Sequence, residues 1–569
     1  MKKRIPSKTA NYADLISDNS YYIDKTKFIQ QMEYGRDKYL FFLRPRRFGK
    51  SLLISTLEYY YGTQHKDKFE TLFGNYYIGQ PENTTVLKNS YMILRFDFSG
   101  ISTQDESLIQ KSFNIRISKS VNEFIANYGG FDLELVDKYE EELTPGDYLS
   151  KFLSSVSTKI RNCKIFFMID EYDHFTNELF SFNPNEFKEV VSKNGWVRKF
   201  YEVIKQFAGE GVIARFFATG VTPLTLDSMT SGFNIADDIS LDLDFHNMAG
   251  FTEEDLRGMI TNTFYEEGAF DLDALITDMR VWYNGSRFSP EGGEKLYNPQ
   301  MVISFLNSFQ KKFTYPLVMA DKNVTSDYTK ILNILQFLPK EVSNSIIELM
   351  YINEEIEEGL TIQYNLEKSY SKTDAVSLLF YNGLLTIDKV VLDLIIYQIP
   401  NYVIKQLYWE FFRYIYERAE GIKYDNREIG LIVQELAFNG KIDRLIHYVQ
   451  KILGAISFRD LENFRESNLK MIFMTILMGT NAFITKSELE TENGYLDLLL
   501  RKTELNPGNN EYLLELKYLR EKDMVNFEKF KENGIDQVIK YRDSLAVKKS
   551  TTLHTYLLLF SGKSDVEIL

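Results

Sequence analysis

The chain has a single cysteine, Cys163, which excludes an internal disulfide. Its five histidines are scattered, so no structural zinc site is expected. A reducing cytoplasm fits both. The opening MKKRIPSKTANYADLI is basic at its end but has no apolar h-region, so no signal peptide is expected. No apolar run reaches the length of a membrane span; Met471 to Met478 is too short and reads as a buried helix. Net positive charge is also missing. At −14 the chain is not built to coat DNA by charge alone, although a locally basic cleft is compatible with that total. The 37 Tyr and 43 Phe are spread along the chain as core residues, not gathered as stacking platforms.

The 569 residues suggest three or four domains, with 44% hydrophobic and 26% charged residues in an ordinary globular balance. The chain is organised around Phe41 to Leu57, FFLRPRRFGKSLLISTL. An apolar strand, a turn ending Gly49-Lys50-Ser51 and a helix make the layout of a phosphate-binding P-loop. Backbone N–H groups of the turn and helix start, Arg46, Arg47, Gly49 and Leu52 among them, would face the phosphates. Lys50 would reach the terminal ones and the Ser51 hydroxyl would hold Mg²⁺. Arg44 stands where such loops usually open with glycine, and Pro45 has no N–H to donate. Before the loop, Asp24 sits where the N-cap of a helix beginning near it belongs.

A second apolar strand is expected over Tyr91 to Gly100. Lys164 to Asp173, KIFFMIDEYD, is a buried strand with acids at its C-terminal end, where open α/β sheets bind ligands. Asp170 suits a Mg²⁺-holding role and Glu171 the positioning of an attacking water; the plain alternative is a solvated turn. Gly211 to Gly220 is a further strand. Its Thr219 either senses the γ-phosphate or satisfies a turn. Alternating strands and helices up to about 310 predict a parallel sheet with helices on both faces.

The expected division is a P-loop domain over 1–310, a small helical or winged-helix-type module over 311–425, and a C-terminal α/β domain over 426–569. In the module, Ser377 to Ile387 and Leu394 to Leu407 are expected as two strands and a helix. In the last domain Asp497 lies in GYLDLLLRK, expected to alternate polar and apolar positions. Glu515 and Lys517 follow in YLLELKYL after a hairpin signal, TELNPGNNE. Residues two apart on a strand share a face, so Glu515 and Lys517 project together. A neighbouring strand about 4.8 Å away brings in Asp497. Two carboxylates and a lysine there suit a metal that polarises a phosphodiester, with Asp497 and Glu515 as its ligands. Exposed strands with alternating charges give the same pattern. A helix beginning near Glu532 carries Gln537 and Tyr541 on one face. Glu466, on the helix NFRESNLKMIFMTIL, either faces the same cleft or is solvated.

FLRPRRFGKSLL, IDEYD, TGV with GFN (Gly220 to Asn234), GFTEEDL (Gly250 to Leu256), WYNGSRFS (Trp282 to Ser289), YNP (Tyr297 to Pro299) and the early YIDKT (Tyr22 to Thr26) together resemble the AAA-ATPase-like family of bacterial ATP-binding proteins. ENGYLDLLL, LLELK and QVIKY resemble the PD-(D/E)XK nuclease superfamily, with its restriction-endonuclease-like core. In the first family RPRRFGKS is the usual P-loop, which makes Arg44 a family feature. In the second, a Gly-Arg pair usually precedes the Asp, whereas Gly494-Tyr495-Leu496 precedes Asp497 here.

The resemblance implies an ATP-binding and ATP-hydrolysing protein with Mg²⁺ at its P-loop. Its metal-dependent nuclease, using Mg²⁺ or Mn²⁺, would cleave nucleic acid, DNA before RNA, under nucleotide control. Glu171, Asp497, Glu515, Lys517 and Gln537 would carry the chemistry. Defence against foreign DNA would suit such a protein. The alternative is a nucleotide-dependent switch or scaffold that binds nucleic acid or protein without cleavage. Arg287 is either an ATP-sensing arginine or a surface salt bridge, and an arginine finger supplied in trans would require a homo-oligomer.

Overall fold

The computed structural model describes residues 2–35, 37–129, 143–159, 164–182, 195–224, 233–320, 328–364, 369–421, 423–455, 464–544, 547, 552–562 and 565–569. Cys163 and residues 225–232 of the Gly220 to Asn234 run lie outside them. The chain forms two compact units. One comprises 1–313, 332–343 and 357–401; the other comprises 314–331, 344–356 and 402–569.

The first unit is built on a parallel sheet of β1 (Tyr39–Leu43), β2 (Tyr91–Asp97), β3 (Lys164–Asp170), β4 (Ile213–Gly220) and β5 (Asp237–Asp238), in the order β2-β3-β4-β1-β5. β1 to β4 are mostly apolar runs because helices cover them. β1 is YLFFL and β3 KIFFMID, and both are buried almost throughout. Register aligns Leu43 with Gly220 and Asp97 with Asp170, so the C-terminal ends of β1 to β4 meet at one edge. The helix Lys50–Tyr61 follows β1 directly, so its first turn opens at that edge.

Local chemistry corrects two expectations. The helix expected near Asp24 runs Lys27–Tyr34, after an earlier one over Tyr12–Ser17, and Asp24 does not cap it. Its carboxylate instead accepts from the Thr26 N–H and hydroxyl (2.9 and 2.6 Å) and from the Tyr77 N–H (2.7 Å). An Asp two residues before an N–H forms a local turn as readily as a cap. Likewise Ser377 to Ile387 is not one strand: it begins as the end of a helix, Lys372–Tyr381, opened by a Ser371/Asp374 capping box, and reaches strand only at Thr386. The same unit contains the hairpin β7 (Thr386–Val391) and β8 (Leu394–Gln398), with β8 beside β6 (Glu355–Glu358).

The second unit holds a mixed sheet of β9 (Phe483–Thr491), β10 (Gly494–Lys502), β11 (Glu511–Leu519), β12 (Leu553–Ser561) and β13 (Asp565–Ile568). β9, β10 and β11 are antiparallel neighbours. β11 and β12 are parallel, joined across the helix Phe527–Arg542, which begins five residues before the expected start. β10 is not half-exposed as expected: Leu496 to Leu500 are buried on both faces. Leu496, Leu499, Leu513, Tyr541 and Val547 form its core. Gly494 has φ 123, and a Cβ there would lie 3.2 Å from the Tyr541 hydroxyl. Helix and sheet close on each other at that point.

Candidate functional sites

At the first unit's sheet edge lies a cavity of about 380 Å³, lined by Arg46, Arg47, Gly49, Lys50, Ser51, Leu52 and Glu171. Tyr22, Ile23, Met259 and Ile303 give it an apolar wall. Size and lining suit a small ligand with a flat apolar part and a charged end. Gly49 caps the helix in the left-handed region (φ 93), and no side chain caps that helix. The first-turn N–H groups are therefore free to meet an anion, which the helix dipole favours.

Lys50 is buried. Its ammonium donates to the Arg44 and Pro45 carbonyl oxygens (2.9 and 3.0 Å). Burial lowers its pKa, opposed chiefly by Glu171. Burial in turn raises Glu171, opposed by His174 and Lys50. Arg44 takes no part in the cavity. Its guanidinium donates to the carbonyls of Leu43 (2.8 Å), Ser240 (2.6 Å), Phe245 (3.2 Å) and His246 (3.2 Å) and stacks 4.4 Å from the Phe42 and Phe288 rings.

Asp170 and Thr219 sit behind the cavity wall. The Thr219 hydroxyl donates to Asp170 Oδ1 (2.9 Å), and Arg95 approaches Oδ2 at 3.7 Å. Arg287 is bound elsewhere, donating to the Gly293 (2.9 Å) and Asp388 (2.6 Å) carbonyls.

The remaining motifs build the walls. Phe251 and Tyr297 exchange backbone hydrogen bonds (3.2 and 2.8 Å), the Gly250 N–H donates to Phe48 O, and Lys25 pairs with Asp255 at 2.7 Å. Asp173 was not singled out from sequence. It is buried and accepts from the Val221 and Thr222 N–H groups, the Thr222 hydroxyl and Asn177. No local pattern marks it, because the groups it binds just after β4 lie 48 and 49 residues away.

In the second unit Asp497, Glu515, Lys517 and Glu466 converge. β10 and β11 pair from Leu500↔Tyr512 to Leu498↔Leu514, and Asp497 and Glu515 follow just beyond the last pair. There the Asp497 carboxylate takes the Leu516 N–H at 2.8 Å. The Lys517 ammonium lies 2.8 Å from Glu515 Oε1, 3.4 Å from Glu466 Oε1 and 3.9 Å from Asp497 Oδ2. Glu515 is 2% exposed, and its Oε2 is buried with no partner among the described residues.

Burial, reinforced by Asp497, pushes the Glu515 carboxyl up to about 7. Asp497 is raised by burial against the pull of Lys517, and Glu466 likewise. Burial works against the Lys517 ammonium, yet the Asp497, Glu515 and Glu466 carboxylates hold its pKa above the ordinary value. An excess of negative charge facing one ammonium is electrostatically suited to a further cation.

Tyr541 is buried against the β10 core, within reach of the Glu515 and Lys517 charges. Gln537, one turn earlier, is half-buried, and among the described residues it makes no hydrogen bond to these carboxylates or to Lys517. Sequence reading missed the Lys470–Glu488 pair (2.6 Å), in which Glu488 adopts φ 47 on β9. Among the described residues no three His, Cys, Asp or Glu side chains are arranged to hold a metal by themselves, and no helix is long and apolar enough to cross a membrane.

Residues 6–230 match the family described as Predicted AAA-ATPase, and residues 464–568 match the PD-(D/E)XK nuclease superfamily. An uncharacterized protein in the vnfD 5' region of Azotobacter chroococcum mcd 1 is 27% identical over 315 residues, which is 55% of this chain. The chain spans about half (52%) of that curated relative's length. In that order along one chain, an AAA-ATPase-like segment is followed by a C-terminal segment of the PD-(D/E)XK nuclease superfamily.

Proposed function

We propose that this protein binds and hydrolyses ATP and, under that control, cleaves nucleic-acid phosphodiesters with its C-terminal unit. The observation that carries the reading is Glu515, with one oxygen on Lys517 and the other buried and, among the described residues, unpartnered.

At the P-loop the phosphates would rest on the N–H groups of Gly49 to Leu52, with Lys50 leaving its two carbonyl partners for the terminal phosphate. Ser51 would hold Mg²⁺. Asp170 is already bonded to Thr219, and would reach the ion through one of the waters Mg²⁺ keeps. Glu171, on the cavity wall, would position the attacking water.

At the second site the carboxylates of Asp497 and Glu515 would hold Mg²⁺ or Mn²⁺, hard ions that take one or two carboxylates and leave other positions to water and phosphate. The ion would supply Lewis-acid polarisation of the phosphodiester and a more acidic water. Lys517 stabilises charge developing on the phosphate. Glu466 holds the Lys517 ammonium in line, and Gln537 and Tyr541 border the cleft. DNA is the favoured substrate, the cytoplasm the favoured location, and defence against foreign DNA the favoured role. Unchanged phage plating and plasmid uptake after deletion in the native host would count against that role.

A second reading is binding without cleavage, with Lys517 closing the carboxylate cluster. It is favoured by the lack, among the described residues, of a ready-made three-ligand metal group. Metal-dependent cleavage assays on Asp497→Asn beside wild type decide between the two. Cleavage in wild type that the variant loses supports the nuclease, and no cleavage in either supports the binder.

A further inference from the structure

The phosphate-binding reading leaves one cluster beside the P-loop unused. His174 opens the helix His174–Phe182, three residues after Glu171. Its Nδ1 lies 3.4 Å from Glu171 Oε2 and 3.5 Å from Arg46 Nη2. Its Nε2 lies 3.3 Å from Glu178 Oε1, and Glu178 is steadied by the Thr103 hydroxyl at 3.4 Å. One ring nitrogen therefore faces both an anion and a cation. With a proton it donates to Glu171; without one it accepts from Arg46; it cannot do both.

Which bond forms depends on where the Arg46 guanidinium goes. Arg46 is exposed, belongs to the P-loop turn and lines the cavity. Glu171 has φ 53, a conformation a non-glycine residue keeps only where its surroundings fix it. Its flanks are fixed: the Tyr172 N–H donates to Thr219 O (3.0 Å) and the His174 N–H to Glu171 O (3.1 Å). With the backbone pinned, the direction of the carboxylate is left to the groups around it, Lys50 and His174 among them, and His174 joins it to Arg46 of the P-loop.

We propose that His174 is a positioning residue that orients Glu171 according to whether Arg46 is engaged by a nucleoside triphosphate. A terminal phosphate draws Arg46 off Nδ1 and leaves that nitrogen to Glu171. In a nucleoside diphosphate complex Arg46 returns and the Glu171 contact is given up. The inference rests on the ATPase reading above.

The test is steady-state ATP hydrolysis and equilibrium ATP binding by the full chain and three variants, His174→Asn, His174→Gln and His174→Leu. The Asn amide nitrogen stands near the Nδ1 position and the Gln amide nitrogen near Nε2. The expected result is a kcat reduced about tenfold or more in the Gln and Leu variants, with KM within about twofold and most of kcat kept in the Asn variant. Wild-type kcat in all three variants would overturn the inference. So would equal losses in the Asn and Gln variants, which would place the effect at Glu178 or in the helix. A wild type that binds ATP but does not turn it over would overturn the ATPase reading itself, a result distinct from turnover that His174 does not affect.

Discussion

Glu515 and Lys517 stand side by side on β11, with Oε1 of the acid 2.8 Å from the ammonium and Oε2 buried without a partner among the described residues. A buried polar atom left unpaired costs about 1–3 kcal/mol, so a ligand that pairs it is stabilised.

Added Mn²⁺ is therefore expected to raise the melting temperature of the wild-type chain. At about a hundred times its dissociation constant a bound ion contributes about 2.7 kcal/mol. Glu515→Gln, nearly the same shape without the charge, is expected to melt as a folded protein and lose that shift. Calorimetry with and without Mn²⁺ checks this, and an undiminished shift in the variant would place the ion elsewhere.

Lys50→Ala is expected to weaken ATP binding by about tenfold or more, because the cation for the terminal phosphate is gone. The Arg44 and Pro45 carbonyls lose their donor too, at about 1 kcal/mol. Binding measured by titration, beside urea unfolding without nucleotide, separates the two effects.

Arg44→Lys is expected to lower stability by about 2–4 kcal/mol with the cavity-lining residues Arg46 to Leu52 unaltered. One ammonium cannot span the four carbonyls that the guanidinium fork reaches, nor stack between Phe42 and Phe288. The midpoint of urea unfolding reads this directly.

His246 is buried, its Nε2 against the Glu294 carbonyl oxygen, and burial pulls its pKa down to about 4. The unfolded chain protonates this residue below about 6.5, whereas the folded chain does not until about 4. Between those values the unfolded state holds more protons, so stability falls as pH falls, by about 3 kcal/mol at most. His246→Asn is expected to flatten that part of the stability–pH curve. An unchanged slope between pH 7 and pH 4 would show that His246 does not carry it.

The parts of these sites legible in the sequence are those set by local spacing. The strand, turn and helix around Lys50, the acids ending β3, and the shared face of Glu515 and Lys517 all follow from short periods. Asp497 came into reach because a hairpin signal fixed its partner strand. What was not legible depends on distant partners. Arg44 looks like a missing glycine until its carbonyl acceptors, up to 202 residues away, are known. Asp24 looks like a cap until Tyr77 is seen to hold its second oxygen. Lys470 and Glu488 carry no pattern at all, since the pair arises where β9 passes the helix Glu466–Leu477.

The most direct test of nucleotide-controlled cleavage is a nuclease time course on plasmid, single-stranded DNA and RNA. It is run in Mg²⁺ or Mn²⁺, with and without ATP, for wild type and Lys517→Ala. The expected result is metal-dependent cleavage of DNA whose rate changes with ATP, and its loss in the variant. Cleavage that survives Lys517→Ala, or none by wild type on any substrate with either metal and ATP present, would contradict it.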